Sequence, residues 1–347
     1  MDNLIKLSSN WLQREECRSG SIQDRTNAVL SLFKQFIRDN RAGLESKTGL
    51  TSKQIVDVVA LCQTNIGIII NAYLRGLHYV AVKSSITFIS DLSTVPFDKG
   101  MRLYKARNTS SNYLFPQKEM FHLPYNLRSK IANYRFSTSG IPCLYLGSSS
   151  YVCWEELGRV DFDTCNFAGF TNVGDIELFD LSLPKEITSL SEVKRICITL
   201  ACSLAAKREA LFKEEYIFPQ CLFQALLHRQ YYNHKLFGVR YISVHFLNGD
   251  ADCFSCDYSN DQISRYYNYV FPAAGSKNEG FSDALKNAFK QTETKAMFKE
   301  SLLHPGKQIA GNSHDEYLDS QFGLMDALLD EALGFKPLRK EGKLLKF

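Results

Sequence analysis

The segment Asn133-Tyr-Arg-Phe-Ser-Thr-Ser-Gly-Ile-Pro-Cys-Leu-Tyr-Leu-Gly-Ser-Ser-Ser-Tyr-Val-Cys-Trp-Glu-Glu-Leu157 sets an arginine, a Gly-containing turn, an apolar strand and an acidic helix within one short span. An arginine beside a turn can grip an anionic phosphate through two parallel hydrogen bonds, and a carboxylate one strand away can face the attached sugar. Arg135 is the candidate for the first role, with a surface salt bridge as its alternative. Glu155 and Glu156 compete for the second. Neighbours on a helix point about 100° apart, so at most one of the two faces a cleft and the other is expected to be solvated. A carboxylate placed so can stabilise an oxocarbenium-like transition state of glycosyl transfer. The plainer reading of a Glu-Glu pair early in a helix is complementarity with the helix dipole.

Other residues could join such a site. Lys105 and Arg107 lie two apart on one strand face and either bind the same phosphate or form the solvent side of an edge strand. Tyr145 can stack on a base or fill the core. Ser243, in the apolar run Tyr241-Ile-Ser-Val244, stands where the pattern accepts valine; it is either a satisfied core serine or a point of close ligand approach. The pair Cys253 and Cys256 has zinc-ligand spacing without a second pair, which favours two ordinary cysteines over a metal site. The sequence contains no Gly-x-Gly-x-x-Gly, Walker, His-Glu-x-x-His or Gly-x-Ser-x-Gly motif, which argues against the common dinucleotide-fold, P-loop, zincin and hydrolase classes.

The elements that position these residues follow from hydrophobic periodicity. Residues 21–79 repeat apolar positions at helical spacing (Val29, Leu32, Phe33, Phe36, Ile37; Ile55, Val58, Val59, Cys62), with Thr51 or Ser52 as an N-cap. The period is lost between Ile86 and Lys99, placing a boundary near residue 95. Strands are read at 102–107, 143–146, 176–181 and 238–245, and helices at 151–157, 192–211 and from Pro219 onward. A final amphipathic helix carries Leu318, Phe322, Met325, Leu328, Leu329 and Leu333 before a tail with five basic residues. The mixture lacks regular alternation, so the fold class is α+β. The expected domains are a helical region (1–95), a domain of mixed strands and helices that holds the candidate site residues (96–305) and a C-terminal helix with its basic tail (306–347).

At 347 residues, with 45% apolar and 22% charged residues, the chain is globular, and 41 basic against 37 acidic residues give no electrostatic basis for strong nucleic-acid binding. Ten cysteines embedded in apolar runs imply a reducing compartment. The N-terminus lacks a secretory pattern and the run Ile66 to Ala72 is too short to span a bilayer, so a cytoplasmic protein without a membrane partner is expected.

Taken together, Leu103-Tyr-Lys-Ala-Arg107, Met120-Phe-His-Leu-Pro124 with Arg128, the 133–157 segment, Phe218-Pro-Gln220 and Gly238-Val-Arg-Tyr-Ile-Ser243 resemble the RES domain family, toxins of bacterial toxin–antitoxin pairs. The resemblance covers about residues 100–275 and implies an ADP-ribosyltransferase-like fold that breaks the nicotinamide–ribose bond of NAD. NAD is then a substrate, with no separate cofactor or metal. The resemblance puts the family's second arginine on Arg135, its tyrosine on Tyr145, its glutamate on Glu156 and its serine on Ser243. Its first arginine falls on Lys105, a departure that loses the planar fork and can pass the role to Arg107. The acceptor is open: water or phosphate makes a glycohydrolase or phosphorylase, and protein makes an ADP-ribosyltransferase. A non-catalytic NAD-binding protein with a decayed site is the rival from another class. An antitoxin or inhibitor protein is an expected partner, as is a second copy bound through the N-terminal helices.

Overall fold

The computed structural model describes residues 4–110, 113–207, 209–249, 264–275, 277–296 and 314–336. The Cys253/Cys256 pair and most of the basic tail lie outside the described residues. The chain opens with α1 (Leu4–Leu12), α2 (Ile22–Asp39), α3 (Arg41–Thr48), α4 (Ser52–Leu74) and α5 (His78–Phe88). It continues through β1 (Val95–Phe97), β2 (Leu103–Asn108), β3 (Cys143–Gly147), α6 (Ser150–Glu156), β4 (Cys165–Asn172), β5 (Ile176–Leu181), α7 (Leu190–Cys202), α8 (Ile217–Tyr232), β6 (Leu236–Ile242) and α9 (Val244–Leu247). The last elements are β7 (Tyr267–Pro272), α10 (Asp283–Ala288), β8 (Phe289–Gln291), β9 (Lys295–Ala296), α11 (His314–Leu318) and α12 (Gln321–Ala332). Helices and strands mix without regular alternation, an α+β chain with a helical N-terminal region.

Two compact units form, each discontinuous in sequence. The first groups Met1–Val95 with Lys130–Ile141 and Glu177–Asp250; the second groups Pro96–Ser129, Pro142–Ile176 and Ala251–Phe347. The boundary read near residue 95 is thus the first of several passages of the chain between units.

In the first unit α2, α4, α5, α7 and α8 pack around Phe33, Ile37, Ile55, Val59 and Ile66, all fully buried. Reciprocal capping boxes open α2 (Ser21 with Asp24), α4 (Thr51 with Gln54) and α7 (Ser189 with Glu192), each satisfying two main-chain donors that have no partner inside the helix. A parallel pair, β5 with β6, carries the buried Asp180, which takes a two-pronged hydrogen bond from Arg240 (2.9 and 2.6 Å). The helix read over 192–211 stops at Cys202. Arginines from elsewhere take the carbonyls there: Arg135 bonds the Cys202 carbonyl (2.7 Å) and Arg25 the Ala205 carbonyl (2.5 Å), while Arg25 also forms a buried ion pair with Glu215. Local periodicity does not register such tertiary partners. Helix α4 has the length and hydropathy (1.7) to cross a membrane, yet Ile55, Val59, Cys62, Ile66, Ile69 and Ile70 are buried within the unit.

In the second unit β7, β3, β2, β4 and β8 form an antiparallel sheet in that order, with β9 also pairing β4. The register sets Tyr104 opposite both Gly147 and Gly169. A Cβ on Gly147 would lie 2.5 Å from Val152 and 2.7 Å from Cys153 of α6, and one on Gly169 would lie 3.1 Å from Leu329 of α12, so both helices cover this face. Two carboxylates of α12 fix the arrangement. Asp330 accepts from the Tyr104 hydroxyl (2.7 Å) and Arg102 (3.0 Å), and Asp326 accepts from the Ser150 amide (2.9 Å) at the start of α6 and from the Tyr317 hydroxyl (2.5 Å). Burial pushes the Asp326 carboxyl up to about 7. The C-terminal apolar stripe is split between α11 and α12, because Ser320 caps a new helix start at the Gly323 amide (3.2 Å).

Replacing Gly147 with alanine forces a methyl into the contact between β3 and α6. The expected cost is about 1–3 kcal/mol, read as a lowered denaturant midpoint at unchanged slope. An unaltered midpoint would mean that α6 does not press on this strand.

Candidate functional site

Of the residues singled out by sequence, Arg135 and Ser243 belong to the first unit, and Lys105, Arg107, Tyr145 and Glu156 to the second. Each set is described within its own unit.

In the second unit α6 begins at Ser149, whose hydroxyl accepts from the Val152 amide (3.1 Å) and donates to the Arg265 carbonyl (2.7 Å). The helix ends at Glu156 after seven residues, so Glu155 and Glu156 occupy its last turn. The helix dipole disfavours anions there, which removes the dipole explanation for the acidic pair. The two glutamates also exchange the roles expected of their burial. Glu155, read as the solvated neighbour, is 4% exposed and held by Arg159 (2.9 and 3.1 Å), a residue in the left-handed region at φ 56°. Glu156 is the exposed one. Its Oε1 accepts from the side-chain amide of Asn268 (2.7 Å), a buried residue of β7 directly opposite Gly147. Asn268 was not singled out by sequence reasoning; its signal is an amide inside the aromatic run Tyr266-Tyr-Asn-Tyr269.

Tyr145 is half-buried and pairs with Val270, two residues from the Gly147–Asn268 pair and on the same face. Its hydroxyl hydrogen-bonds the Cys143 thiol. Lys105 and Arg107 alternate with Tyr104 and therefore point to the opposite face from α6. Lys105 donates to the Phe121 carbonyl (2.6 Å). Arg107 donates to the Glu119 carbonyl (2.6 Å) and lies 4.1 Å from the centre of the Phe115 ring. The structure thus brings Glu156 and Tyr145 to one face of this sheet and leaves the two cations on the other, tied to the 115–121 segment. Burial, reinforced by the Arg107 charge, pulls the Lys105 ammonium down to about 7.

In the first unit the Arg135 guanidinium donates to the Cys202 carbonyl and stands over the Tyr216 ring (5.1 Å). Among the described residues its recorded partners are this carbonyl and this ring. The loop before it is fixed by Gln220 of the Phe218-Pro-Gln motif, which bonds the Asn133 side chain and the Tyr134 carbonyl (2.8 Å). Ser243 is not inside a strand: β6 ends at Ile242, and Ser243, 1% exposed, begins α9, its carbonyl accepting from the Leu247 amide (3.0 Å). The two residues are neighbours through intermediaries. Phe136 packs on Tyr241 (4.7 Å between centroids), and Asn248, just past α9, donates to the Ser203 carbonyl (3.0 Å) beside the carbonyl that Arg135 holds. Among the described residues no group of three or more His, Cys, Asp or Glu side chains is placed to hold a metal ion.

No family model matches the sequence. A protein of Bacillus subtilis (strain 168) described as "Putative toxin YopC" is 30% identical over 251 residues, 64% of this chain and 54% of that protein. The chain therefore spans about half the length of the curated relative it matches. Among solved structures, the M. tuberculosis MbcT–MbcA toxin–antitoxin complex aligns with a TM-score of 0.30 and 11% identity, over 60% of this chain and 91% of the other.

Burial of the Lys105 ammonium makes stability depend on pH. The folded chain holds fewer protons at this residue than the unfolded chain between about pH 7 and 10.5, so stability rises with pH across that window. Lys105→Met removes this dependence. The melting temperature of the variant relative to the parent is expected to be highest near pH 7 and to decline toward pH 10; a difference independent of pH would show that Lys105 titrates as an ordinary surface lysine.

Proposed function

We propose that the chain is an NAD-consuming toxin that breaks the nicotinamide–ribose bond. The observation that carries this reading is Glu156: an exposed carboxylate in a helix turn that disfavours it, oriented by the amide of a buried strand asparagine. Such a placement costs helix stability and is explained by a use outside the helix. The RES-like pattern of the sequence and the identity shared with the toxin-named relative support the same reading.

In the proposed reaction the bond between ribose C1′ and the nicotinamide nitrogen breaks, its electron pair leaving with neutral nicotinamide. Positive charge develops on the ribose, and the Glu156 carboxylate stabilises it. Water then adds at C1′, yielding ADP-ribose and a proton. Asn268 acts as the positioning residue for Glu156. The resemblance assigns the diphosphate to Arg135, whose guanidinium is held by a carbonyl and a ring. Lys105 and Arg107, engaged by carbonyls on the face away from α6, are weaker candidates for that role. Tyr145 would pack on a ring and Ser243 would orient the substrate. As a toxin the chain would require a restraining antitoxin or inhibitor protein.

Incubation of the purified chain with NAD labelled in the adenylate half tests both reaction and acceptor. Nicotinamide release is expected, with label in ADP-ribose; label in the phosphate ester identifies phosphorolysis, and label on protein identifies ADP-ribosyl transfer. Glu156→Ala should lower turnover roughly a hundredfold or more. NAD bound but never consumed would instead support the non-catalytic rival.

A further inference from the structure

We propose that α4 is the seam of an antiparallel homodimer, in which the outward face of this helix packs against the same face of a second copy of the chain. The inference stands apart from the NAD reaction and is carried by one stripe. Gln54, Asp57, Leu61, Thr64, Ile68, Asn71 and Arg75 follow one another at spacings of three and four, and every one of them is exposed. That is the spacing of a helix-pair seam, with apolar residues at its centre and polar or charged ones toward its ends. At its centre Leu61 and Ile68, seven residues apart, are 61% and 50% exposed, large apolar side chains left in water on a helix whose other side is fully buried.

Two further features fit a helix as the occupant. A groove of about 400 Å³ is lined by Thr64, Gly67, Ile68 and Asn71 of α4, with Gln23 and Asn27 of α2 on its other wall. Residues i, i+3, i+4 and i+7 are the four that make a hole for the knob of a facing helix. Gly67 is the floor of that hole. Glycine inside a helix is destabilising relative to alanine, and a Cβ at Gly67 would meet nothing within 4 Å of this chain. Packing within the chain does not require the glycine; close approach of an outside helix does.

Charge selects the second copy and its direction. Asp57 stands near one end of the stripe and Arg75 at the other, and among the described residues neither makes an ion pair within the chain. Parallel copies would set like charges together. Antiparallel copies related by a twofold axis near Thr64 place Leu61 of each in the hole of the other, and bring Asp57 of each level with Asn71 and within one turn of Arg75 of the other. The surface is self-complementary, as a twofold interface must be.

Sedimentation equilibrium of the full chain tests this, with circular dichroism to monitor folding. A dimer is expected for the parent, and monomers for Leu61→Glu and Ile68→Glu, whose exposed positions leave the fold intact. Gly67→Leu should also give monomers, and these should melt above the monomeric Ile68→Glu variant because the helix gains a better former than glycine. Asp57→Arg should weaken the dimer at least tenfold, and adding Arg75→Asp should restore it. A monomeric parent, a dimer that survives Ile68→Glu, or charge reversal without rescue would overturn the proposal. Binding to phosphatidylcholine–phosphatidylserine vesicles that is lost in Ile68→Glu would overturn it in favour of a membrane surface.

Discussion

A missing side chain governs the geometry around the candidate carboxylate. Gly147 lets α6 lie directly on β3, close enough that a single methyl group would overlap two of the helix side chains. That approach leaves room for the helix start to meet Asp326 and brings its far end level with Asn268, which sits opposite Gly147 on the neighbouring strand. Anchors at both ends of a seven-residue helix leave little freedom for Glu156. A helix this short has scant intrinsic stability, so its order is borrowed from the strand beneath it and from α12.

The two halves of the acidic pair show how one fold treats adjacent identical residues differently. Glu155 turns inward and is neutralised by Arg159, which adopts a left-handed backbone conformation at the end of α6. Glu156 turns outward and accepts a hydrogen bond from the Asn268 side-chain amide. A cation neutralises the carboxylate it holds, whereas an amide donor orients one. This contrast assigns a structural task to the first residue and points to a chemical one for the second.

Much of the architecture is written in local patterns. The capping box at Thr51 and Gln54, the strands beginning near residues 103 and 143, and the serine that caps α6 all follow from side chains and spacings that act within a few residues. What the sequence conceals is tertiary. The end of α7 meets arginines more than 60 residues away, and the face chosen by Lys105 depends on the register of β2 with β4. Asn268 stands out locally as an amide in an aromatic run, but its meaning comes from the residue it meets, 112 positions earlier. The division into interleaved units is likewise a property of contacts between distant segments.

The account rests on the claim that Glu156 acts on substrate while Glu155 holds the fold. Turnover of NAD and thermal melting, measured side by side for Glu155→Gln and Glu156→Gln, test it most directly. The account predicts that Glu155→Gln lowers the melting temperature and keeps most of the turnover per folded molecule, whereas Glu156→Gln melts like the parent and loses nicotinamide release. Equal turnover in Glu156→Gln and the parent, or loss of turnover confined to Glu155→Gln at unchanged stability, would contradict it.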